Sequence, residues 1–291
     1  MERYKAYSTH LKELYGEKVY KLPVNLPVTC PNRMDGDGCT FCGGVGTGFE
    51  AMNSEVSVSE QLNATKGKIT KRYKAKKFIA YFQNYTNTFL PVDKFEKYLV
   101  EAAQTEDIVG ISVSTRPDCI NEEVCKLIKS YSDKYYVCVE LGLQTSNDET
   151  GTLINRGYSS CQFTNAVKLS NEANIDIVAH IMVGLPGENF DDLKDTVDFI
   201  NMHNIQGLKI HSTYVVENTY LADMFFAGQY EPISLEYYLD ALTYVVTHIS
   251  PDIVIHRISG DAPKDLLVAP KWNLHKKWVL NGFDKILREQ D

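Results

Sequence analysis

The feature that most constrains the fold is a repeated alternation of short apolar runs with amphipathic stretches. Phe78–Phe82 is a continuous apolar run, and apolar residues at helical spacing follow it between Val92 and Ala102. This alternation continues as far as about residue 255. Repeated strand and helix units of this length indicate parallel strands joined by right-handed crossovers. We therefore expect an α/β fold, either a barrel or an open doubly wound sheet.

The apolar runs predict six or seven strands, fewer than the eight of a complete barrel. Strands are predicted at residues 24–29, 78–82, 108–113, 135–141, 175–183, 208–214 and 253–255. No linker rich in Gly, Ser or Pro interrupts them, so residues 24–258 are predicted to form one core domain. Residues 1–23 and 259–291 are then short N-terminal and C-terminal extensions.

The composition excludes several classes of protein. With 44% hydrophobic and 23% charged residues among 291, the chain has enough apolar surface for a globular core. No charge-free apolar stretch approaches the ~18 residues of a membrane span, and the N-terminus lacks the pattern of a secretory signal. We therefore expect a cytoplasmic protein that makes no membrane contact.

One strongly basic stretch stands out against the formal net charge of −8. Lys66–Lys77 holds seven basic residues in twelve and no acidic residue. One interpretation is the solvated face of a helix that precedes a strand. The other is contact with nucleic-acid phosphates, since neutralising phosphates is the main source of such affinity.

Three of the seven cysteines are clustered. Cys30, Cys39 and Cys42 lie within thirteen residues, and four nearby glycines allow the chain to wrap closely around an inorganic core. Thiolates favour zinc or iron–sulfur clusters. No further Cys or His lies nearby at zinc-finger spacing, so three ligands leave one metal position open. The scattered cysteines are interpreted as small buried hydrophobic residues: Cys119, Cys125, Cys138 and Cys161.

Four loops that directly follow predicted strands are unusually polar. They span residues 83–88, 114–118, 144–147 and 184–188. In both candidate architectures, ligands bind at the carboxyl ends of the strands, where these loops begin. We expect the four loops to converge on one pocket.

Several motifs resemble those of the radical S-adenosylmethionine (SAM) superfamily. The motif of three clustered cysteines, with the aromatic residue Phe41 before the last of them, resembles the cysteine motif of the superfamily as a whole. Further motifs resemble a narrower branch, the YhcC/YtqA-like proteins, which are related to the radical domain of the elongator catalytic subunit. These motifs are Lys18–Leu22, Cys30–Arg33, Tyr81–Thr88, Ser114–Asp118, Glu140–Gln144, Asn155–Gly157, Gly184–Gly187 and Gly260–Asp265. The resemblance covers about residues 11–280.

The resemblance implies a partial (β/α)6-type, TIM-like barrel and a radical enzyme. In this superfamily the three thiolates, here Cys30, Cys39 and Cys42, hold a [4Fe–4S] cluster whose fourth iron binds the amino and carboxylate groups of SAM. The reduced cluster cleaves SAM to a 5′-deoxyadenosyl radical, which abstracts hydrogen from the substrate. Contacts to SAM are implied for Tyr85, Thr86, Ser114, Gln144, Arg156, His180, Tyr214 and Val215. Among these, Gln144 and Arg156 correspond to positions that contact the ribose and the methionine carboxylate.

The resemblance also implies a substrate and partners. It points to the wobble uridine of transfer RNA (tRNA) and to conversion of a carboxymethylaminomethyl side chain into an aminomethyl one. Lys66–Lys77 and the C-terminal Lys271–Trp278 would then bind the anticodon loop, with cations contacting phosphates and tryptophans contacting bases. An electron donor such as a flavodoxin or ferredoxin is implied as well. Two alternatives stay open: a radical SAM enzyme acting on a small molecule, and a non-catalytic RNA-binding protein with structural zinc.

Overall fold

Seven parallel strands form a curled, open barrel. The structure, a computed structural model, describes residues 4–34, 36, 38–44 and 51–289. In their spatial order the strands are β1 (Val19–Val24), β2 (Lys77–Phe82), β3 (Ile108–Thr115), β4 (Tyr136–Gln144), β5 (Asp176–Val183), β6 (Gly207–Ser212) and β8 (Val254–Arg257). Two short strands, β7 (Val215–Val216) and β9 (Leu267–Ala269), pair antiparallel beside them. This arrangement confirms the predicted α/β fold with a partial, TIM-like barrel.

Helices connect the strands and cover the sheet. The described residues form α1 (Tyr7–Tyr15), α2 (Val58–Tyr73), α3 (Val92–Gln104), α4 (Glu122–Lys129), α5 (Asp148–Leu153), α6 (Ser160–Glu172), α7 (Phe190–Asn201), α8 (Tyr220–Phe226), α9 (Leu235–His248) and α10 (Lys276–Glu289). The side chains of Asn121, Ser159 and Asn189 accept hydrogen bonds from main-chain N–H groups and so determine where α4, α6 and α7 begin. Apolar residues such as Phe95 and Phe163 pack from these helices into the main core.

The first strand lies earlier than predicted. β1 spans Val19–Val24, whereas residues 25–29 lie in the loop that follows it. The predicted strand at 24–29 was wrong because Lys21 interrupts the apolar pattern of β1; its ammonium pairs with Glu140 of β4 instead of facing solvent. Most of β1 therefore precedes residue 24, the predicted start of the core domain. The domain boundaries themselves stay predictions.

Helix α1 bridges the gap between the two edges of the open barrel. Ala6, which precedes the helix, forms a parallel bridge with Ile255 of β8. Leu11 packs in one cluster with Val19 of β1 and Ile79 of β2. The ring of Tyr7 stacks on a half-buried histidine of β8, His256, with centroids 3.7 Å apart. The N-terminal segment thus contacts both edges of the sheet.

The two ends of the barrel differ in what they carry. The loop that carries Cys30, Cys39 and Cys42, here called the cysteine loop, and the β7–β9 pair lie at the carboxyl ends of the strands. The basic stretch Lys66–Lys77 lies at the opposite end, where Lys66 pairs with Asp107 before β3 and Lys77 pairs with Glu17 before β1. No helix among the residues described is both long and apolar enough to cross a membrane.

Candidate active site at the carboxyl ends of the strands

A large cavity opens at the carboxyl ends of the strands, and most of the residues predicted from the sequence line it. Those lining it are Cys30, Cys39, Cys42, Tyr85, Thr86, Ser114, Gln144, His180 and Tyr214. Three of the four predicted polar loops contribute to the wall, whereas the loop at 184–188 does not. The parallel sheet brings these residues together because its strands all end at the same edge.

Hydrogen bonds hold the cysteine loop against the turn that follows α5. The Thr40 N–H donates to the Ile154 carbonyl at 3.0 Å, and the Asn155 side-chain amide donates to the Gly38 carbonyl at 2.7 Å. In return, the Asn32 side chain donates to the Asn155 carbonyl at 2.6 Å. The motif Asn155–Gly157 therefore serves as the support on which the cysteine loop rests.

The three thiols have an environment suited to metal-bound thiolates. Nη1 of Arg116 lies 3.7 Å from Cys30 Sγ, and Nδ2 of Asn32 lies 3.6 Å from Cys39 Sγ. Burial, together with the neighbouring thiols of Cys42 and Cys30, raises the pKa of Cys39 to about 12. The thiol therefore needs a strong positive charge, such as iron, to displace its proton.

The three thiols converge on one cavity, as the ligands of a cluster would. Among the described residues, no three His, Cys, Asp or Glu side chains lie close enough together to hold a metal ion. In an iron–sulfur cluster each thiolate binds a different iron, so the sulfur atoms lie further apart than the ligands of one ion. All three cysteines are free and line the same cavity, which fits a cluster held by three ligands.

Arg156 lies behind the cavity wall. Its side chain is fully buried and donates to the carbonyls of Leu143, Thr145 and Tyr158 and to the Asp148 carboxylate, at 2.6 to 2.9 Å. The guanidinium is thus bound to acceptors within the protein, and Arg156 is not among the residues that line the cavity. The contact between Arg156 and the methionine carboxylate therefore stays a prediction.

The predicted pair at the end of the sixth strand divides between the cavity and the core. β6 ends at Ser212, before the predicted end at Tyr214. Tyr214 lines the cavity, but Val215 is fully buried in a small core with Leu221 of α8. The next residue, Val216, lines the cavity instead. Successive side chains of an extended segment point to opposite faces, so Tyr214 and Val216 line the cavity while Val215 between them faces the core.

Two wall residues adopt left-handed backbone conformations. Tyr85 has a φ of 54° and Gln144 a φ of 67°, values that are uncommon outside glycine. The Tyr85 hydroxyl donates to the Gly44 carbonyl at 2.6 Å, which ties the loop after β2 to the cysteine loop. Such strained residues concentrate at functional sites, where the surrounding structure maintains them.

A buried polar cluster forms the floor of the cavity, and sequence reasoning missed most of it. Glu140 of β4 is fully buried and pairs with two lysines, Lys21 of β1 and Lys209 of β6. It also contacts His180 Nε2 at 2.8 Å and Ser112 Oγ at 2.7 Å. The only sequence signal for the lysines is a single charged residue within each apolar strand. Since the partners lie on strands far apart in the chain, their pairing could not be predicted from it.

The floor has a defined pattern of charge. The two lysines hold the pKa of Glu140 well below its usual range although burial alone would raise it. Burial, together with the charge of Lys209, lowers the pKa of His180 to about 4. At neutral pH the floor therefore contains a carboxylate, a neutral imidazole and the two lysine side chains.

Curated proteins and solved structures resemble this chain over most of its length. YtqA of Bacillus subtilis is 33% identical and aligns over 99% of this chain and 91% of its own length. YhcC of Escherichia coli K12 is 35% identical over 96% of this chain and 90% of its own length. Among solved structures, an archaeal Elp3 from Methanocaldococcus infernus superposes with a TM-score of 0.68 at 20% identity, covering 91% of this chain and 63% of that chain. At this identity the likeness shows the fold alone.

Family models extend the agreement across the chain. The model described as the Radical SAM C-terminal domain matches residues 205–289. The model described as the Radical SAM superfamily matches residues 24–200, more than half of the chain. The chain therefore belongs to the radical SAM superfamily, and like its members it uses a [4Fe–4S] cluster and SAM.

Proposed function

We propose that this protein is a cytoplasmic radical SAM enzyme that modifies the wobble uridine of tRNA, converting a carboxymethylaminomethyl side chain into an aminomethyl one. The cluster would be held by Cys30, Cys39 and Cys42. When bound, the cluster and SAM supply the electron and the 5′-deoxyadenosyl radical. The observation that carries the proposal is the convergence of these three thiols on a cavity with a polar, charged floor.

The remaining wall residues are proposed to bind SAM. The main chain at Tyr85 and Thr86 lies beside the cysteine loop, to which Tyr85 is already bonded. Gln144 and Ser114, which both line the cavity, are proposed to bind the ribose with His180 near it. The aromatic ring of Tyr214 is proposed to contact the adenine. Arg33 lines the cavity and donates to the Cys42 and Gly43 carbonyls, which fixes the last turn of the cysteine loop.

The surface beside the cavity supports an RNA substrate. Trp278 is about half exposed (53%), and its ring stacks on His275 with centroids 4.1 Å apart. The exposed Lys271 and Lys277 flank this pair in the chain, and Lys276 beside it pairs with Asp261, which lines the cavity. Stacked aromatic residues with nearby cations are the usual surface for unpaired bases. Trp272, by contrast, donates to the Ile233 carbonyl and packs on the core.

Nucleoside analysis tests the substrate. We expect tRNA from cells that lack the protein to accumulate carboxymethylaminomethyl uridine and to lose the aminomethyl nucleoside at the wobble position. Expression of the wild-type chain should restore the original profile, and expression of the Cys39→Ala variant should not. Identical nucleoside profiles with and without the protein would contradict a role in wobble modification.

Cysteine variants test the cluster independently of the substrate. Cys30→Ala, Cys39→Ala and Cys42→Ala should each abolish formation of 5′-deoxyadenosine and lower the iron and sulfide content after anaerobic reconstitution, because a cluster needs all three protein ligands. Cys161→Ala is the matched control, since Cys161 is exposed and lies outside the cavity. Full iron content in any of the three cluster variants would reject that cysteine as a ligand.

A further inference from the structure

The floor of the cavity carries more positive than negative charge. Lys21, Lys209 and Glu140 form one contiguous group in which two ammonium groups face a single carboxylate. The histidine that completes the group, His180, is neutral at physiological pH because burial lowers its pKa to about 4. A buried positive charge without a compensating anion is unfavourable. The group as folded is therefore one negative charge short.

Lys209 is the member of this group that faces the cavity. Its side chain is almost fully buried, at 8% exposure, yet Lys209 lines the cavity whereas Lys21 does not. Its ammonium donates to Glu140 and to the Tyr81 hydroxyl, the latter at 3.1 Å. An ammonium has three N–H donors, so one remains without an acceptor among the described residues.

Neighbouring groups make this position suitable for a small anion. His211 lies two residues further along β6 and also lines the cavity; its Nε2 is buried and has no hydrogen-bond partner among the residues described. The Tyr81 ring lies beneath the Lys209 ammonium, which is 4.4 Å from the ring centroid. Burial lowers the pKa of Lys209 to about 8, in keeping with a cation that has too little negative charge nearby.

We propose that Lys209 binds a carboxylate of the substrate, with His211 as a second donor, so that the substrate is an acid whose negative end reaches the cavity floor. The inference rests on the proposed function only in assigning this carboxylate to the carboxymethylamino group. In that group one CH2 carbon links the nitrogen to the carboxylate. Binding of the carboxylate at the cavity floor would therefore fix the position of this CH2 carbon in the cavity. SAM also has a carboxylate, and the experiment distinguishes binding of the substrate carboxylate from binding of the SAM carboxylate.

The test compares a charged probe with its neutral counterpart. The probe is N-acetylglycine, an anion whose nitrogen carries the same carboxymethyl group as the proposed side chain, and the neutral counterpart is its methyl ester. Binding of each to the reconstituted, oxidised protein in the presence of SAM is measured by saturation-transfer NMR. We expect wild-type protein to bind the acid roughly tenfold or more tightly than the ester, the effect of one charge-assisted hydrogen bond.

Variants assign this preference to Lys209. In Lys209→Met the preference for the acid should disappear while affinity for the ester stays the same, and in Lys209→Arg part of the preference should return. Thermal unfolding of both variants checks that they fold, and the ratio of acid to ester affinity within each variant is independent of the folded fraction. The affinity for SAM is measured in parallel for all three proteins.

Three results would overturn the inference. These are an absence of acid preference in wild-type protein, a preference that survives in Lys209→Met, and a loss of SAM affinity in that variant equal to its loss of acid affinity. The last would identify the bound carboxylate as that of SAM. Failure of the tRNA proposal is distinguishable, because unchanged nucleosides in cells leave the acid preference and its dependence on Lys209 intact.

Discussion

Arg156 acts on the cavity from behind its wall. Its side chain donates to the Leu143 and Thr145 carbonyls, on either side of Gln144 at the end of β4. Its own carbonyl accepts a hydrogen bond from Nη1 of Arg116, the same atom that lies 3.7 Å from Cys30 Sγ. These bonds connect the end of β4 to the cysteine loop, so we interpret Arg156 as a residue that positions the cluster ligands.

Replacing Arg156 should disturb both stability and cluster assembly. We expect Arg156→Met to lower the free energy of unfolding by about 2–4 kcal/mol, because several buried acceptors lose their donor. Iron content after reconstitution should fall as well. Urea unfolding and iron analysis measure these effects, with Arg72→Met on the exposed side of α2 as the control, expected to change stability by about 0.5 kcal/mol or less. Unchanged iron content in Arg156→Met would argue against the positioning role.

His180 should make stability dependent on pH. Its pKa in the folded protein is about 4, below the ordinary histidine value, so the unfolded chain binds this proton more readily. Stability from this group is therefore present above about pH 6.5 and is lost as the pH falls toward 4. Urea unfolding at pH 7, 6 and 5 should show that stability of His180→Gln falls less steeply than that of wild type, by roughly 1 kcal/mol per pH unit. Parallel curves would show that His180 does not carry this dependence.

The sequence predicted the wall of the site better than its floor. Cys39, Tyr85 and Gln144 belong to motifs that are continuous in the chain, so the pattern of neighbouring residues was sufficient to locate them. The floor is assembled across strands: Lys21 and Glu140 are 119 residues apart, and Lys209 is 69 residues from Glu140. No local pattern encodes such pairs, since only the register of the parallel sheet brings them into contact.

At the scale of secondary structure, the alternation of strand and helix predicted nearly every element of the barrel. β2 and β5, whose residues are largely apolar, lie within a residue or so of their predicted bounds. β1 was misplaced for a physical reason. A strand that borders a polar interior carries polar residues such as Lys21 on its inward face, so its pattern differs from that of a strand buried in an apolar core.

Helix α1 should contribute to the stability of the barrel through one face only. Leu11 is 2% exposed and packs against β1 and β2, whereas Leu14, on the same helix, is 53% exposed. We expect Leu11→Ala to lower the free energy of unfolding by about 2–5 kcal/mol and Leu14→Ala by about 0.5 kcal/mol or less. Denaturant unfolding of the two variants provides the comparison. Similar losses in both would mean that α1 does not dock on the barrel as described.

At the scale of the whole molecule, the two basic segments singled out from the sequence lie at opposite ends of the strands. Lys66 and Lys77, at the two ends of the first segment, pair with Asp107 and Glu17 near the amino ends of β3 and β1. The C-terminal segment lies at the carboxyl ends, where Asn273 accepts a hydrogen bond from Ser212 at the end of β6. A base that enters the cavity would therefore place its neighbouring phosphates close to the C-terminal segment and far from α2.

This arrangement predicts unequal contributions to RNA binding. The double variant Lys271→Ala/Lys277→Ala should weaken binding of an anticodon stem-loop and reduce the slope of log affinity against log salt by about 1–2, because each lost phosphate contact removes roughly 0.7–0.9. The matched variant Lys68→Ala/Lys71→Ala, which removes two exposed charges from α2, should leave the slope nearly unchanged. Filter binding across a salt series measures both. A larger loss of slope in the α2 variant would place the RNA at the amino ends of the strands, which would separate RNA binding from the cavity altogether.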